Sequence, residues 1–307
     1  MKIDDVRRVL VVGAGTMGQE IGLQCAMHGF DVTIYDVAQE PLETATARQE
    51  AVLTGLVGEG RLTEGEKEAT LARITTTVDP EEAAAEADLL SESVPERPAL
   101  KAQVFAQFNR LCPPPTVFTT NTSSFLPSMF AEASGRPAQF AALHFHHAVW
   151  ISNVVDIMPH PGTAQETVDL LYAFAQRIGQ IPILCQKENH GYVFNAMLNA
   201  LNEAALTLVA NGVAAAQDVD RAWMGVMKMP IGPFGILDGV GLDTAWDITA
   251  HWAQALDDPQ LRKNADLLKG YVDQGHLGTK SGRGFYTYPD PAYQRPGFLA
   301  GAERDAE

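Results

Sequence analysis

Val9-Leu10-Val11-Val12-Gly13-Ala14-Gly15-Thr16-Met17-Gly18 is the stretch whose reading decides the fold, and Asp36 stands eighteen residues beyond its last glycine. An apolar run stops at a G-x-G-x-x-G, a helical pattern follows, and a second strand, Asp31-Val32-Thr33-Ile34-Tyr35, ends in an acid. Each part has a physical task. Gly13 permits the tight turn out of the strand, Gly15 lets the backbone approach a pyrophosphate, and Gly18 lets the helix lie close on the strand. The free N–H groups and positive end of the helix attract phosphates. The stretch Gly13, Gly15, Thr16, Met17 and Gly18 is therefore the expected cofactor turn. Asp36 bonds both ribose hydroxyls and repels a 2′-phosphate, so the expected cofactor is NAD rather than NADP.

Working outward, strand and helix patterns alternate through the first part of the chain. A helical hairpin is expected over residues 39–73, broken at Gly55–Gly60. Strands are expected at 74–78, 88–90, 116–119, 139–145, 154–158 and 181–184, and helices at 80–87, 98–111 and 163–178. Such alternation predicts a Rossmann-type, mainly parallel, doubly wound sheet over residues 1–189. After residue 190 no strand alternation remains. Helical spacing runs over 192–211 and 216–227, and more helices follow to about residue 275, which predicts an all-helical second domain over 190–307. The proline-rich and charged residues 289–307 read as a loose tail.

Length and composition fit two globular domains: 307 residues, 46% hydrophobic. The formal net charge of −16 argues against nucleic acid and anionic membrane surfaces as partners. Three dispersed cysteines, Cys25, Cys112 and Cys185, show neither metal spacing nor a disulfide framework, as expected for reduced thiols in a cytoplasmic protein. The first apolar run is short and ends in glycines, so it reads as a core strand and not as a signal peptide. No segment reads as a membrane span.

His144 ends the apolar strand Phe140-Ala141-Ala142-Leu143, and strand ends of such sheets open onto the ligand crevice. Asp156 ends the next strand-like run. Two adjacent strand ends put a carboxylate behind an imidazole, fixing its tautomer and stabilising its cation. The competing reading is a packed histidine beside a solvated aspartate. His144, His146 and His147, with His160 nearby, invite a metal reading. Alternation puts His144 and His146 on one face and His147 on the other, with no regular carboxylate or cysteine spacing beside them, and no metal is expected. Asn121-Thr122-Ser123-Ser124 follows a strand. It reads as a helix cap and equally as a hydroxyl offered to the crevice. Glu92, Glu96 and Lys101 read as a solvated loop and helix start, with Glu96 and Lys101 a poor helical pair. Met224, Met227 and Met229 read as core filling.

Taken together, these motifs resemble the 3-hydroxyacyl-CoA dehydrogenase family over about residues 5–288. They are joined, in order, by Ser93-Val94-Pro95-Glu96, Leu143-His144-Phe145, Gly191-Tyr192-Val193-Phe194-Asn195, Pro230-Ile231-Gly232-Pro233-Phe234, Asp238-Gly239-Val240-Gly241-Leu242-Asp243 and Gly278-Thr279-Lys280-Ser281-Gly282-Arg283-Gly284-Phe285-Tyr286. The resemblance implies a homodimer built through the helical domain and hydride transfer from a 3-carbinol carbon to NAD. It implies His144 as general base, Asp156 in the place of the family's orienting glutamate, and Ser123 and Asn195 on the substrate oxygen. It also implies Glu96 and Lys101 near the nicotinamide, with Asn121 among the cofactor-binding residues.

Several positions depart from the family pattern. The usual His-Phe-Phe-Asn-Pro is His144-Phe145-His146-His147-Ala148, aspartate replaces glutamate at 156, and the usual Asn-Arg is Asn195-Ala196. The stretch 143–155 resembles the diketoreductase branch of the family, and Met158-Pro159-His160-Pro161 resembles the branch of L-gulonate 3-dehydrogenase and lambda-crystallin. The hairpin's four cations face six glutamates, which is unfavourable to the 3′-phosphate of CoA. The expected substrate is thus a small molecule: a 3-hydroxy or 3-keto acyl-CoA such as 3-hydroxybutyryl-CoA, or a related 3-keto ester. The alternatives are a CoA-free hydroxy acid, as for a gulonate or carnitine dehydrogenase, and a non-catalytic NAD-binding crystallin-like protein.

Overall fold

The structure, a computed structural model, describes residues 1–301, and the chain divides into two compact units, Met1–Val193 and Phe194 onward. In the first unit the elements run β1 (Arg8–Val12), α1 (Thr16–Met27), β2 (Asp31–Tyr35), α2 (Gln39–Gly58), α3 (Glu64–Leu71), β3 (Ile74–Thr77), α4 (Pro80–Ala84), β4 (Leu89–Glu92), α5 (Pro98–Leu111), β5 (Val117–Thr120), α6 (Ser128–Ala131), β6 (Phe140–Phe145), β7 (Val154–Pro159), α7 (Gln165–Arg177) and β8 (Ile181–Leu184). The eight strands form one sheet in the order β3-β2-β1-β4-β5-β6-β7-β8. Every pairing is parallel except β6 with β7, which is antiparallel.

Burial on both faces explains the unbroken apolar strands. Along β1 the side chains alternate: Val9 and Val11 join Phe30, Val32, Leu171 and Phe174 in one core, while Leu10 and Val12 join Phe105, Phe108, Phe118 and Phe140 in the other. Gly18 is dictated by α1 lying on β1, since a Cβ there would stand 1.9 Å from the Gly13 carbonyl oxygen. Gly13 has φ +107°, and a Cβ on it would meet the Ser93 carbonyl at 2.7 Å.

The second unit contains α8 (Phe194–Ala210), α9 (Ala216–Met227), α10 (Pro233–Val240), α11 (Leu242–Ala255) and α12 (Pro259–Val272). Leu206, Met224, Phe234, Leu237, Leu268, Tyr286 and Phe298 form its core. Two buried aspartates organise it. Asp220 on α9 accepts the Phe234 and Gly235 N–H groups at 2.8 and 3.0 Å, capping α10 from a neighbouring helix, and the Tyr286 hydroxyl at 2.9 Å. Asp238 accepts the N–H groups of Phe285 and Tyr286, both at 2.9 Å, and the Tyr288 hydroxyl at 3.0 Å.

Some expectations are corrected. The segment after 289 is not loose as far as residue 301: Phe298 is fully buried, because its ring and that of Tyr286 share one core. Residues 302–307 lie outside the described residues. Met224 fills the core, but Met227 and Met229 are exposed. The hairpin break falls after Gly58, because α2 continues through Gly55.

Candidate active site

Strand order reverses between β1 and β4, so the crevice of the first unit opens at the C-terminal ends of these strands. Gly15 is the N-cap of α1 and contributes no side-chain acceptor, and a Cβ placed on it would meet nothing within 4 Å. The first-turn N–H groups thus face open space, the setting a pyrophosphate requires. Asp36 follows β2, and its carboxylate accepts Ala14 N–H at 2.9 Å and Ala38 N–H at 3.3 Å, which places it beside the glycine turn. These residues fit NAD. Bound there, it supplies the hydride acceptor; the protein supplies placement.

At the other end of the crevice, β6 and β7 bring an imidazole and a carboxylate together. Their antiparallel register sets His144 directly opposite Asp156. Opposed Cβ atoms in such a pair are about 4.5–5.5 Å apart, so the short aspartate side chain suffices. His144 Nδ1 lies 3.1 Å from Asp156 Oδ2, and its Nε2 lies 3.2 Å from Ser123 Oγ. Tyr192 stacks on the imidazole, with ring centroids 4.4 Å apart and planes 7° from parallel, and its hydroxyl donates to the Thr122 carbonyl at 2.6 Å. Asp156 is fully buried. Burial works against its charge, but His144 and His146 outweigh that, and the carboxyl is held below the usual carboxylate range. An oriented imidazole with a hydroxyl on its outer nitrogen and a carboxylate on its inner one can accept and return a proton.

Sequence reasoning missed how β4, α5 and the strand after them are tied. Glu92 is not in a solvated loop: it is the last residue of β4 and fully buried. Lys101 is buried too, and its Nζ donates to Glu92 at 2.7 Å and lies 3.0 Å from Glu96. The poor helical pair is a good tertiary one, because Glu96 precedes α5 and its carboxylate turns back toward the crevice. Burial raises the Glu92 carboxyl in spite of Lys101. At Glu96, burial is outweighed by Lys101 and by hydrogen bonds from the loop, so its carboxyl stays low.

Glu96 accepts the N–H groups of Ser123 and Ser124 at 2.9 and 3.1 Å, together with the Thr122 hydroxyl. Residues 121–124 therefore do not cap a helix. The helix that follows, α6, begins only at Ser128 and has no side-chain cap. Asn121 Oδ1 accepts Phe145 N–H at 2.8 Å, locking this loop to the strand that carries His144. Met17, Glu96, Lys101, Asn121 and Ser123 line one cavity of about 220 Å³, and Ser123 links it to His144. Asn195, the second residue of α8, belongs to the helical unit.

A second cavity of about 310 Å³ lies between α1, α2 and the loop after β6, lined by Leu23, Arg48, Val52, His147 and Trp150 among others. Glu20 on α1 holds that loop. It accepts Ala148 N–H at 2.8 Å and pairs with His147 Nδ1 at 2.8 Å. His147 is thus paired with Glu20, whereas His146 Nε2 lies 3.3 Å from Asp156 Oδ2. The carboxylate that the local spacing around the histidines lacks comes from the neighbouring strand.

Residues 8–189 match the family model of the 3-hydroxyacyl-CoA dehydrogenase NAD binding domain, and residues 191–288 match that of the C-terminal domain. A probable 3-hydroxybutyryl-CoA dehydrogenase of Deinococcus radiodurans is 36% identical over 91% of this chain and 99% of its own. One from Bacillus subtilis is 33% identical over 93% and 99%. A solved diketoreductase, described by its substrate-directed dual catalysis of dicarbonyl compounds, superposes with a TM-score of 0.85 at 36% identity, over 92% of this chain and 99% of that one. With both domains matched in order along the chain, and relatives at 33–36% identity covered almost end to end, the chain belongs to the 3-hydroxyacyl-CoA dehydrogenase family of NAD-dependent oxidoreductases acting on a CH–OH group.

Proposed function

We propose that the protein interconverts a 3-hydroxyacyl-CoA, such as 3-hydroxybutyryl-CoA, and the 3-keto compound by hydride transfer with NAD. The observation that carries this reading is the Ser123–His144–Asp156 chain, held at 3.2 and 3.1 Å beside the NAD turn. In oxidation His144 Nε2 takes the hydroxyl proton while the hydride leaves carbon for NAD. Asp156 stabilises the resulting imidazolium and Ser123 holds the oxygen, a role that the family resemblance gives to Asn195 as well. In reduction the imidazolium returns the proton. Glu96 and Lys101 shape the nicotinamide side, with Asn121 fixing the loop.

A second reading, a CoA-free 3-keto ester or hydroxy acid, draws support from the hairpin. Three of its four cations already face an acid: Arg61 with Glu59, Lys67 with Glu64, and Arg73 with Asp31. Arg48 lines the second cavity. We also propose a homodimer formed through the helical unit, whose exposed Met197, Val213, Val226, Met227 and Met229 are costly to leave in water. A cytoplasmic setting suits the three buried free thiols, and no helix among the described residues is long and apolar enough to cross a membrane.

A panel of acetoacetyl-CoA, free 3-keto esters and a sugar acid with NADH separates the readings. Preference for the thioester is expected, and preference for a free ester decides for the second reading. With cofactor saturating, His144→Ala is expected to lower turnover by on the order of 10²–10⁴ and leave NADH binding in place, and Asp156→Asn to lose less. Near-normal turnover of His144→Ala refutes the assignment, and absence of turnover with the whole panel favours a non-catalytic NAD-binding protein.

A further inference from the structure

His146 departs from the family's phenylalanine and Asp156 from its glutamate, and the two departures meet. Opposite His144 in the ladder stands Asp156; His146, two residues on, reaches the same carboxylate diagonally. Both imidazoles converge on one oxygen. His144 Nδ1 is hydrogen-bonded to Asp156 Oδ2 at 3.1 Å and His146 Nε2 lies within ion-pair range of the same oxygen at 3.3 Å, while Oδ1 is buried and has no hydrogen-bond partner among the described residues. The two rings also meet edge to face at 5.0 Å.

We propose that His146 is a positioning residue of the proton relay, which competes with His144 for the single engaged oxygen of Asp156 and so divides its negative charge between two imidazoles. The proposal rests on the reading of His144 as the base. A carboxylate shared in this way stabilises the His144 imidazolium less than one given wholly to it. If His146 itself takes a proton, the added positive charge acts in the same direction.

The remaining ionisable groups around the pair leave this sign unchanged. Cys185, which follows β8, stays a thiol: burial, with Asp156 adding to it, pushes it up to about 11. Burial likewise keeps the Tyr192 hydroxyl neutral. Lys101 compensates Glu92 and Glu96, and His147 is paired with Glu20.

The test is the pH profile of alcohol oxidation, with NAD saturating, in the full-length protein and in His146→Phe and His146→Gln. His146→Phe is expected to move the midpoint of the rising limb up by about half a unit to one unit, since the carboxylate then serves His144 alone. His146→Gln keeps an amide donor toward Asp156 and is expected to restore most of the original midpoint. A merely structural role would change rates without this ordered displacement. A midpoint that is unmoved or lowered in His146→Phe, or that His146→Gln fails to restore, overturns the inference. NADH binding followed by fluorescence reports whether each variant is folded, and His146→Leu repeats the measurement if the phenylalanine variant does not bind. His144→Ala is run beside them. If it retains turnover, the underlying assignment of the base fails, a result distinct from an unmoved midpoint.

Discussion

Asp36 is the single carboxylate to which we assign the cofactor preference. It is aimed at the glycine turn by hydrogen bonds from Ala14 and Ala38, at the end of a strand where a ribose would lie. Replacing it with alanine removes the charge that a 2′-phosphate would meet. The ratio of kcat/KM for NADH over NADPH is expected to fall at least tenfold in Asp36→Ala, about 1.4 kcal/mol of lost discrimination. An unchanged ratio, or an unaltered protein that uses both cofactors equally, defeats the assignment. The place of Asp36 beside the glycine turn was legible in sequence because strand and turn belong to one contiguous unit. Tyr192 was not. Its stacking on His144 depends on the chain returning over β6 after β8, and nothing near residue 192 announces that. Glu92 was misread for a similar reason: its partner Lys101 lies on a helix whose direction the local pattern leaves open.

The tie between β4 and α5 belongs to the scale of elements. Lys101 and Glu92 form an ion pair with both side chains essentially fully buried, and Thr120 of β5 adds a hydrogen bond to Glu92 at 2.6 Å. Lys101→Met leaves Glu92 buried without its cation, which costs about 3–5 kcal/mol. The urea midpoint of the first unit is expected to fall accordingly, and the double variant Lys101→Met/Glu92→Gln to recover much of the loss. A single variant as stable as the parent would show that the pair contributes nothing net. Most elements were readable from periodicity, because continuous apolar strands and amphipathic helices alternate here without interruption; the bounds of α5 and α9 came out as expected. The antiparallel sense of β7 was not readable. The chain from Phe145 to Val154 is short enough to reverse but carries no tight-turn signal, only a loop held by Glu20.

At the scale of the molecule, the stability of the helical unit is expected to respond to acid through Asp220. Burial, partly offset by the hydrogen bonds it accepts, raises its carboxyl from 3.8 to about 6. A carboxyl raised in the folded state binds its proton more tightly there than in the unfolded chain. Its contribution to stability is therefore full at low pH and is lost as pH rises through about 6, a difference of about 3 kcal/mol. The net charge of −16 adds self-repulsion in the same direction. Thermal unfolding of the helical unit is expected to show a higher midpoint near pH 5 than near pH 7.5, with the slope reduced in Asp220→Asn. A midpoint that rises steadily over that range contradicts the reading. Light scattering at micromolar concentration is expected to report a dimer, and a monomer would refute the proposed role of the exposed methionines.

The antiparallel pairing of β6 with β7 has a hereditary consequence. Because the imidazole and the carboxylate face each other across two successive strands, residues 140–159 carry His144, His146 and Asp156 on one uninterrupted piece of chain. A single exchange of that piece would carry imidazole and carboxylate together into another chain, while the glycine turn, Ser123 and the helical unit stayed as they were.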